Sequence, residues 1–134
     1  MSKLRIGIVD YGAGNIRSIA NALEAADSCE ALLSRDKDTL ESCHGLILPG
    51  VGAFSHAMDS LKESGLIETL NDLVIYKKKP IMAICLGMQL LLESSEEGGD
   101  IPGLGWIPGE VKKIKTSAGL RIPHMGWNEI IPEK

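Results

Sequence analysis

Residues 79–91, KPIMAICLGMQLL, decide how this chain is read. Pro80 to Cys85 is an apolar run with the reach of a buried strand, and Gly87 to Glu93 opens a helical pattern. The thiol of Cys85 therefore falls on a strand-to-helix junction. Small neighbours, Ala83 and Gly87, leave room for a sharp turn there, which is the arrangement of a nucleophile elbow. A helix starting after Cys85 aims backbone N–H groups at the sulfur, and its positive pole favours a thiolate. The competing reading is a buried cysteine that serves as a small hydrophobe.

Outward from this junction the same alternation repeats. Leu4 to Asp10 reads as a buried strand, and Ile16, Ile19, Ala20 and Leu23 then share a helical face. Ala31–Ser34 is a weaker second strand. Leu46-Ile47-Leu48 is a third, stopped by Pro49 and Gly50. Phe54, Ala57, Met58 and Leu61 line one further helical face, and Leu66, Ile67, Leu70, Leu73 and Val74 another. The expected fold class is α/β, a mostly parallel twisted sheet flanked by helices. Chemistry in such sheets gathers at the carboxyl ends of strands. That rule selects the loops at Asp10–Asn15, Pro49–Ala53 and Cys85. After Glu93 the chain becomes rich in Gly and Pro, with strand-like pieces at Glu110–Lys115 and Met125–Ile131.

At 134 residues, 44% of them hydrophobic, the chain reads as a single domain over 1–134 with a sizeable core. A net charge of −4 argues against a nucleic-acid surface. The one basic run, Lys77-Lys78-Lys79, reads as a solvated helix end. No segment has the length and apolarity of a membrane span, and no signal-peptide pattern opens the chain, so the expected location is cytoplasmic. Cys29, Cys43 and Cys85 form no Cys-x-x-Cys pair, so neither a disulfide framework nor a metal site is expected.

Three other stretches carry signals. Pro49-Gly50-Val51-Gly52 precedes a helix at a strand end, where backbone N–H groups could stabilise an oxyanion; a plain turn is the alternative. Tyr11-Gly12-Ala13-Gly14-Asn15 superficially suggests a dinucleotide fingerprint, but Arg17 stands where the last glycine belongs, and that reading is rejected. Asn15 and Ser18 read instead as a helix start with side chains available to a neighbour. Met125-Gly126-Trp127 has the composition of an interface, and Trp106 that of core. The thiol needs a base. His44 lies at the wrong end of the third strand, His56 faces outward from its helix, and His124 sits in the interface-like stretch. None is followed two residues later by an acid.

Together, Ile84-Cys85-Leu86-Gly87-Met88-Gln89, Pro49-Gly50-Val51-Gly52, Asp10–Asn15, Ser95-Glu96-Glu97-Gly98-Gly99 and Pro123–Asn128 resemble the class I (triad) glutamine amidotransferases. Within them the chain is most similar to the glutaminase subunits of imidazole glycerol phosphate synthase, in histidine biosynthesis. The resemblance covers essentially the whole chain. It implies that Cys85 is the nucleophile, that glutamine is hydrolysed through a glutamyl thioester, and that ammonia passes to a (βα)8-barrel synthase subunit in a heterodimer. It implies an oxyanion hole from Leu86, Gly50 and Val51, whose loop reorients on activation. Gly52, Gln89 and Glu97 would hold glutamine, with Glu96 the alternative to Glu97. Asn15, Ser18, Met125 and Trp127 would face the partner. No metal or organic cofactor is implied.

Two departures stand out. Ala83 occupies a position where the family commonly has glycine. The family's His-x-Glu, which completes the triad near the C-terminus, does not occur in these 134 residues. The expectation is a fragment of a glutaminase subunit, catalytically incomplete by itself. The alternatives are a non-catalytic partner-binding module, a subunit serving another acceptor such as a surface sugar, and a thiol hydrolase using a different base such as His56.

Overall fold

The computed structural model describes residues 3–117, 119 and 121–133; Met1, Ser2, Ala118, Leu120 and Lys134, part of the expected 1–134 domain, lie outside the described residues. Apolar runs and amphipathic segments alternate as β1 (Leu4–Val9), α1 (Ile16–Ala25), β2 (Cys29–Ser34), α2 (Lys37–Ser42), β3 (Gly45–Leu48), α3 (Phe54–Glu63), α4 (Leu66–Leu70), β4 (Ile81–Ala83) and α5 (Leu86–Leu90). A π-helical turn, Asn71–Tyr76, extends α4. The four strands form one sheet in the order β2-β1-β3-β4, and every pairing is parallel. The order reverses between β1 and β3, so the loops leaving these two strands meet at the switch point, the expected place for a ligand.

The two faces of the sheet are covered unequally. Val9, Leu46 and Leu48 point into the main core with Leu40 of α2, Phe54, Ala57 and Leu61 of α3, Leu66 and Leu70 of α4, Leu73, and Leu86 and Leu90 of α5. Helical spacing places each of these on one stripe. On the opposite face α1 has no buried residue, and Met82 of β4 is 63% exposed. A cavity of about 460 Å3 lies between α1 and the sheet, lined by Ile19, Leu23, Ile47, Met82 and Ile84, and it reaches Cys85.

Several expectations need correction. The strand expected over Pro80–Cys85 is Ile81–Ala83, and the helix starts at Leu86 rather than Gly87 and ends at Leu90. Cys85 is exposed, not part of a buried strand. The expected strand Glu110–Lys115 shrinks to β7 (Glu110–Val111), which pairs with β5 (Ser94–Ser95); β6 (Ile101–Pro102) completes this small second sheet. Met125–Ile131 is not a strand but an exposed stretch without regular structure; it pairs with no strand among the described residues, and its apolar side chains Met125, Trp127, Ile130 and Ile131 remain exposed. The basic run does more than face solvent. Lys77 bridges Glu41 at 2.6 Å and Asp72 at 3.4 Å, and the Lys79 ammonium donates to the carbonyls of Glu41 and Cys43. These contacts fasten the π-helical turn to α2. Helix α2 carries no apolar period in its sequence, with Leu40 its one buried residue. Asp36 starts it, its Oδ2 accepting the Thr39 N–H and Oγ1–H, both at 2.8 Å. Those two bonds hold the Asp36 carboxyl below its ordinary value.

Candidate active site

Cys85 caps α5 with φ 56° and ψ −120°, a conformation a side chain rarely adopts. Three links fix it there. The Ile84 N–H donates to Leu48 O at 3.0 Å, tying the end of β4 to the end of β3. The Gly87 N–H reaches Ile84 O at 2.9 Å, and the Met88 N–H reaches Cys85 O at 3.0 Å. Together these close the elbow around the sulfur-bearing residue. Ala83 stays within β4 and is not among the residues of positive φ, so alanine fits where the family has glycine.

The elbow exists because two backbones touch. A Cβ on Gly87 would stand 2.1 Å from Leu48 O, and one on Gly50 would stand 2.3 Å from the Gly87 nitrogen. Only two facing glycines permit this approach. It sets the first turn of α5 directly on the Pro49–Gly50 peptide. Gly50 is buried, while Val51 is half exposed and Gly52 is open at φ 89°. The Leu86 N–H, as the first amide of α5, has no intrahelical acceptor. Cys85, Gly50 and Val51 therefore share the mouth of the α1 cavity, and Asn15 and Ser18 line the same cavity from the start of α1. Asn15 is the N-cap of α1 without a side-chain capping bond.

The remaining candidates lie elsewhere. Gln89, Ser95, Glu96 and Glu97 line a separate concavity of about 480 Å3 with Val111, Lys112 and Lys113. Ser95 is fully buried, and its Oγ accepts the Glu97 N–H at 3.1 Å. The Glu96 carboxylate accepts the Lys113 N–H. Met125 lines a third concavity with Ile114, Ile122 and His124, and the Trp127 side chain is fully exposed. Asn15 and Ser18 are thus not joined with Met125 and Trp127 in one pocket.

No histidine lines the Cys85 cavity. His44 Nδ1 accepts the Arg5 N–H at 3.0 Å, at the opposite end of the sheet. His56 is exposed on α3, and His124 Nε2 pairs with Asn128 Nδ2 at 3.2 Å. Cys43 is the contrasting thiol: buried, pushed up by desolvation, and donating to Thr39 O at 3.3 Å. Tyr11, given no role by the sequence, is buried, and its hydroxyl donates to Pro49 O at 2.5 Å. The signal available for it was a phenol beside a glycine-rich strand end.

The chain is similar to several known proteins. The chain is 48% identical over 131 residues to "Imidazole glycerol phosphate synthase subunit HisH 2" of Vibrio vulnificus (strain YJ016), a match spanning 98% of this chain and 61% of that protein. It is 50% identical over 125 residues to subunit HisH 1 of Campylobacter jejuni subsp. jejuni serotype O:23/36 (strain 81-176), across 93% of this chain and 62% of that one. A third relative, subunit HisH of Bacillus cereus (strain ATCC 14579), is 50% identical across 96% of this chain and 60% of its own. The chain therefore spans about three fifths of the length of these relatives. A solved glutamine amidotransferase shares the fold, with a TM-score of 0.66 at 23% identity, over 80% of this chain and 55% of that one. The family model "Glutamine amidotransferase class-I" matches residues 7–134, and the chain belongs to that family.

Proposed function

We propose that this chain carries the nucleophile half of a glutaminase that serves an imidazole glycerol phosphate synthase. The observation that carries the reading is the conformation of Cys85, held at φ 56° on the β4–α5 turn beside the Gly50–Val51 backbone. In this reading the Cys85 sulfur attacks the side-chain carbonyl carbon of glutamine. The C–O π pair moves onto oxygen, where the Leu86 N–H and the backbone of Gly50 and Val51 receive it. Collapse of that intermediate breaks the C–N bond and, with a proton, releases ammonia. Water then cleaves the thioester to give glutamate.

Gly52, Gln89 and Glu97 hold glutamine in this reading, which requires the substrate to extend from the concavity of Gln89 and Glu97 to the separately lined cavity of Cys85. Glu97 is preferred to Glu96 because the Glu96 carboxylate already accepts the Lys113 N–H. Asn15, Ser18, Met125 and Trp127 face a (βα)8-barrel synthase subunit that receives the ammonia. The exposure of Asn15 and Ser18 beside the Cys85 cavity, and of Met125 and Trp127, supports that assignment. The base is not among His44, His56 and His124, so these 134 residues by themselves turn glutamine over at least about 10^3-fold more slowly than a triad-bearing subunit.

A chloroketone analogue of glutamine, with –CH2Cl in place of the amide nitrogen, tests the reading. Its reaction forms a C–S bond to Cys85, breaks C–Cl and releases chloride, with the thiol proton passing to solvent. We expect one label per chain, on Cys85, slowed by added glutamine and abolished in Cys85→Ala. Labelling indifferent to glutamine refutes the glutamine site. Cys85-dependent glutamine turnover by the 134-residue chain refutes the missing base, and His56→Ala is then the next variant.

A further inference from the structure

We infer that Tyr11 is a positioning residue for the Cys85 site: its hydroxyl fixes the Pro49–Gly50 peptide and, through that peptide, the direction of the Gly50 N–H. The inference deepens the glutaminase reading and rests on it.

The argument starts from the peptide plane. Pro49 O and the Gly50 N–H belong to one rigid trans unit and point in opposite directions. Anchoring the carbonyl therefore anchors the amide. Tyr11 is 3% exposed, within the main core, and its Oη donates to Pro49 O from 38 residues away in sequence. The carbonyl is thus held on the core side of the peptide, which turns the Gly50 N–H away from the core.

Two further contacts brace the same unit. Gly14, at φ 111°, lies so close that a Cβ there would stand 2.7 Å from Pro49 Cβ. On the other side the peptide meets Gly87 and Leu86 of α5. Pro49–Gly50 is consequently gripped by the Asp10–Asn15 loop, by α5 and by the phenol. Val51 and Gly52, one step along the chain, are exposed, and a Cβ on Gly52 would touch nothing within 4 Å. The loop thus has an anchored half and an open half, and Tyr11 supplies the hydrogen bond of the anchored half. Burial also pushes the phenol up to about 12, so it remains a donor throughout the working pH range. The same loop that carries Tyr11 runs into Asn15 and Ser18 of α1, so a force applied at those two residues reaches Pro49 through one short segment.

Tyr11→Phe removes the bond and keeps the ring. Two readouts on the 134-residue protein decide the matter. The first is the backbone NMR signals of Pro49 C′ and Gly50 N–H, which should move, with faster amide exchange at Gly50 and unchanged exchange in β1. The second is the inactivation rate by the glutamine chloroketone, whose ketone carbon first adds the Cys85 sulfur to give an oxyanion before the sulfur shifts to the CH2 carbon, chloride leaves and the C=O reforms. It is set against alkylation by iodoacetamide, a direct displacement of iodide that passes through no oxyanion. We expect the limiting chloroketone rate to fall about 10- to 100-fold at unchanged half-saturating concentration, with the iodoacetamide rate unaltered. Equal losses with both reagents would indicate a general disturbance of Cys85 and overturn the inference. Unmoved Pro49 and Gly50 signals, or moved signals at an unchanged chloroketone rate, also overturn it. If wild-type labelling proves indifferent to glutamine, the glutaminase reading fails separately, and the NMR comparison alone then decides whether Tyr11 fixes the peptide. Should Tyr11→Phe unfold, Gly14→Ala displaces the same peptide from the other side, and the same pattern of losses is expected.

Discussion

Gly87→Ala sets helix propensity directly against packing. Gly87 lies inside α5 without a positive φ, so by propensity alone alanine stabilises the helix by about 1 kcal/mol. The new methyl, however, would sit 2.1 Å from Leu48 O and 3.1 Å from Pro49 C. Relaxed carbon contacts need about 3.5 Å, so α5 and the end of β3 must separate by roughly 1 Å. Overpacking of this kind costs about 1–3 kcal/mol. Leu48 O also accepts the Ile84 N–H at 3.0 Å, and disturbing that bond adds about 1 kcal/mol. Less the propensity gain, the net destabilisation is about 1–3 kcal/mol. For a domain of this size that lowers the melting temperature by roughly 3–5 °C per kcal/mol. Urea unfolding followed by circular dichroism measures it. A variant as stable as the wild type, or more stable, refutes the close approach of the two backbones, and with it the account of how the elbow is built.

Two other outcomes follow from the same contacts. Trp106 Nε1–H donates to Asn71 Oδ1 at 2.7 Å, pinning the 103–107 loop to the π-helical turn; Trp106→Phe and Asn71→Ala should each cost about 1 kcal/mol and be strongly non-additive in urea unfolding, whereas additive losses would deny the bond. Tyr11 keeps its proton in the folded state to about pH 12 and loses it near 10.0 in the unfolded chain. Its contribution is therefore whole below pH 10 and is lost as pH rises towards 12, by at most about 3 kcal/mol. The wild type should lose stability faster than Tyr11→Phe over that window, and parallel curves would contradict the burial of the phenol.

What the sequence made legible was periodic or punctuated. The apolar runs at Leu4–Val9, Leu46–Leu48 and Ile81–Ala83 became parallel strands because each packs at least one face against the core, Ile81 and Ala83 only partly buried there, and the Phe54–Leu61 stripe became α3. Helix α2 is not legible in the sequence because six residues with a single buried leucine give no period to read; its only mark is Asp36 three residues before Thr39. The Met125–Ile131 stretch misled for the opposite reason. It has strand-like composition, but a strand requires a partner, and composition does not name one. In the site, Cys85 and the glycines were legible because chemistry restricts residue type there. Tyr11 was not, since a phenol reaching 38 residues along the chain to a carbonyl is a tertiary fact. Nor could spacing show that Gln89 and Glu97 line one concavity while Gly50 and Val51 line another.

Cys85 itself allows the sharpest test of whether the site holds strain for its chemistry. A side chain at φ 56° and ψ −120° costs about 1–3 kcal/mol, and at this exposed position the sulfur gains little burial in return. Alanine retains the Cβ and hence the strain. Glycine relieves it, at an entropic cost in the unfolded chain of about 0.4–1 kcal/mol. Cys85→Gly should therefore be more stable than Cys85→Ala by about 1 kcal/mol, the reverse of the order found at ordinary helix and strand positions. Both variants should resist the chloroketone completely. At Gly87 the structure excludes a side chain that propensity would favour; at Cys85 it retains one that the backbone disfavours. If alanine proves the more stable replacement at position 85, the turn is relaxed and its geometry no longer argues for a nucleophile. If glycine does, the fold is giving up stability to present a thiol at the tip of β4, which a merely structural cysteine would not require.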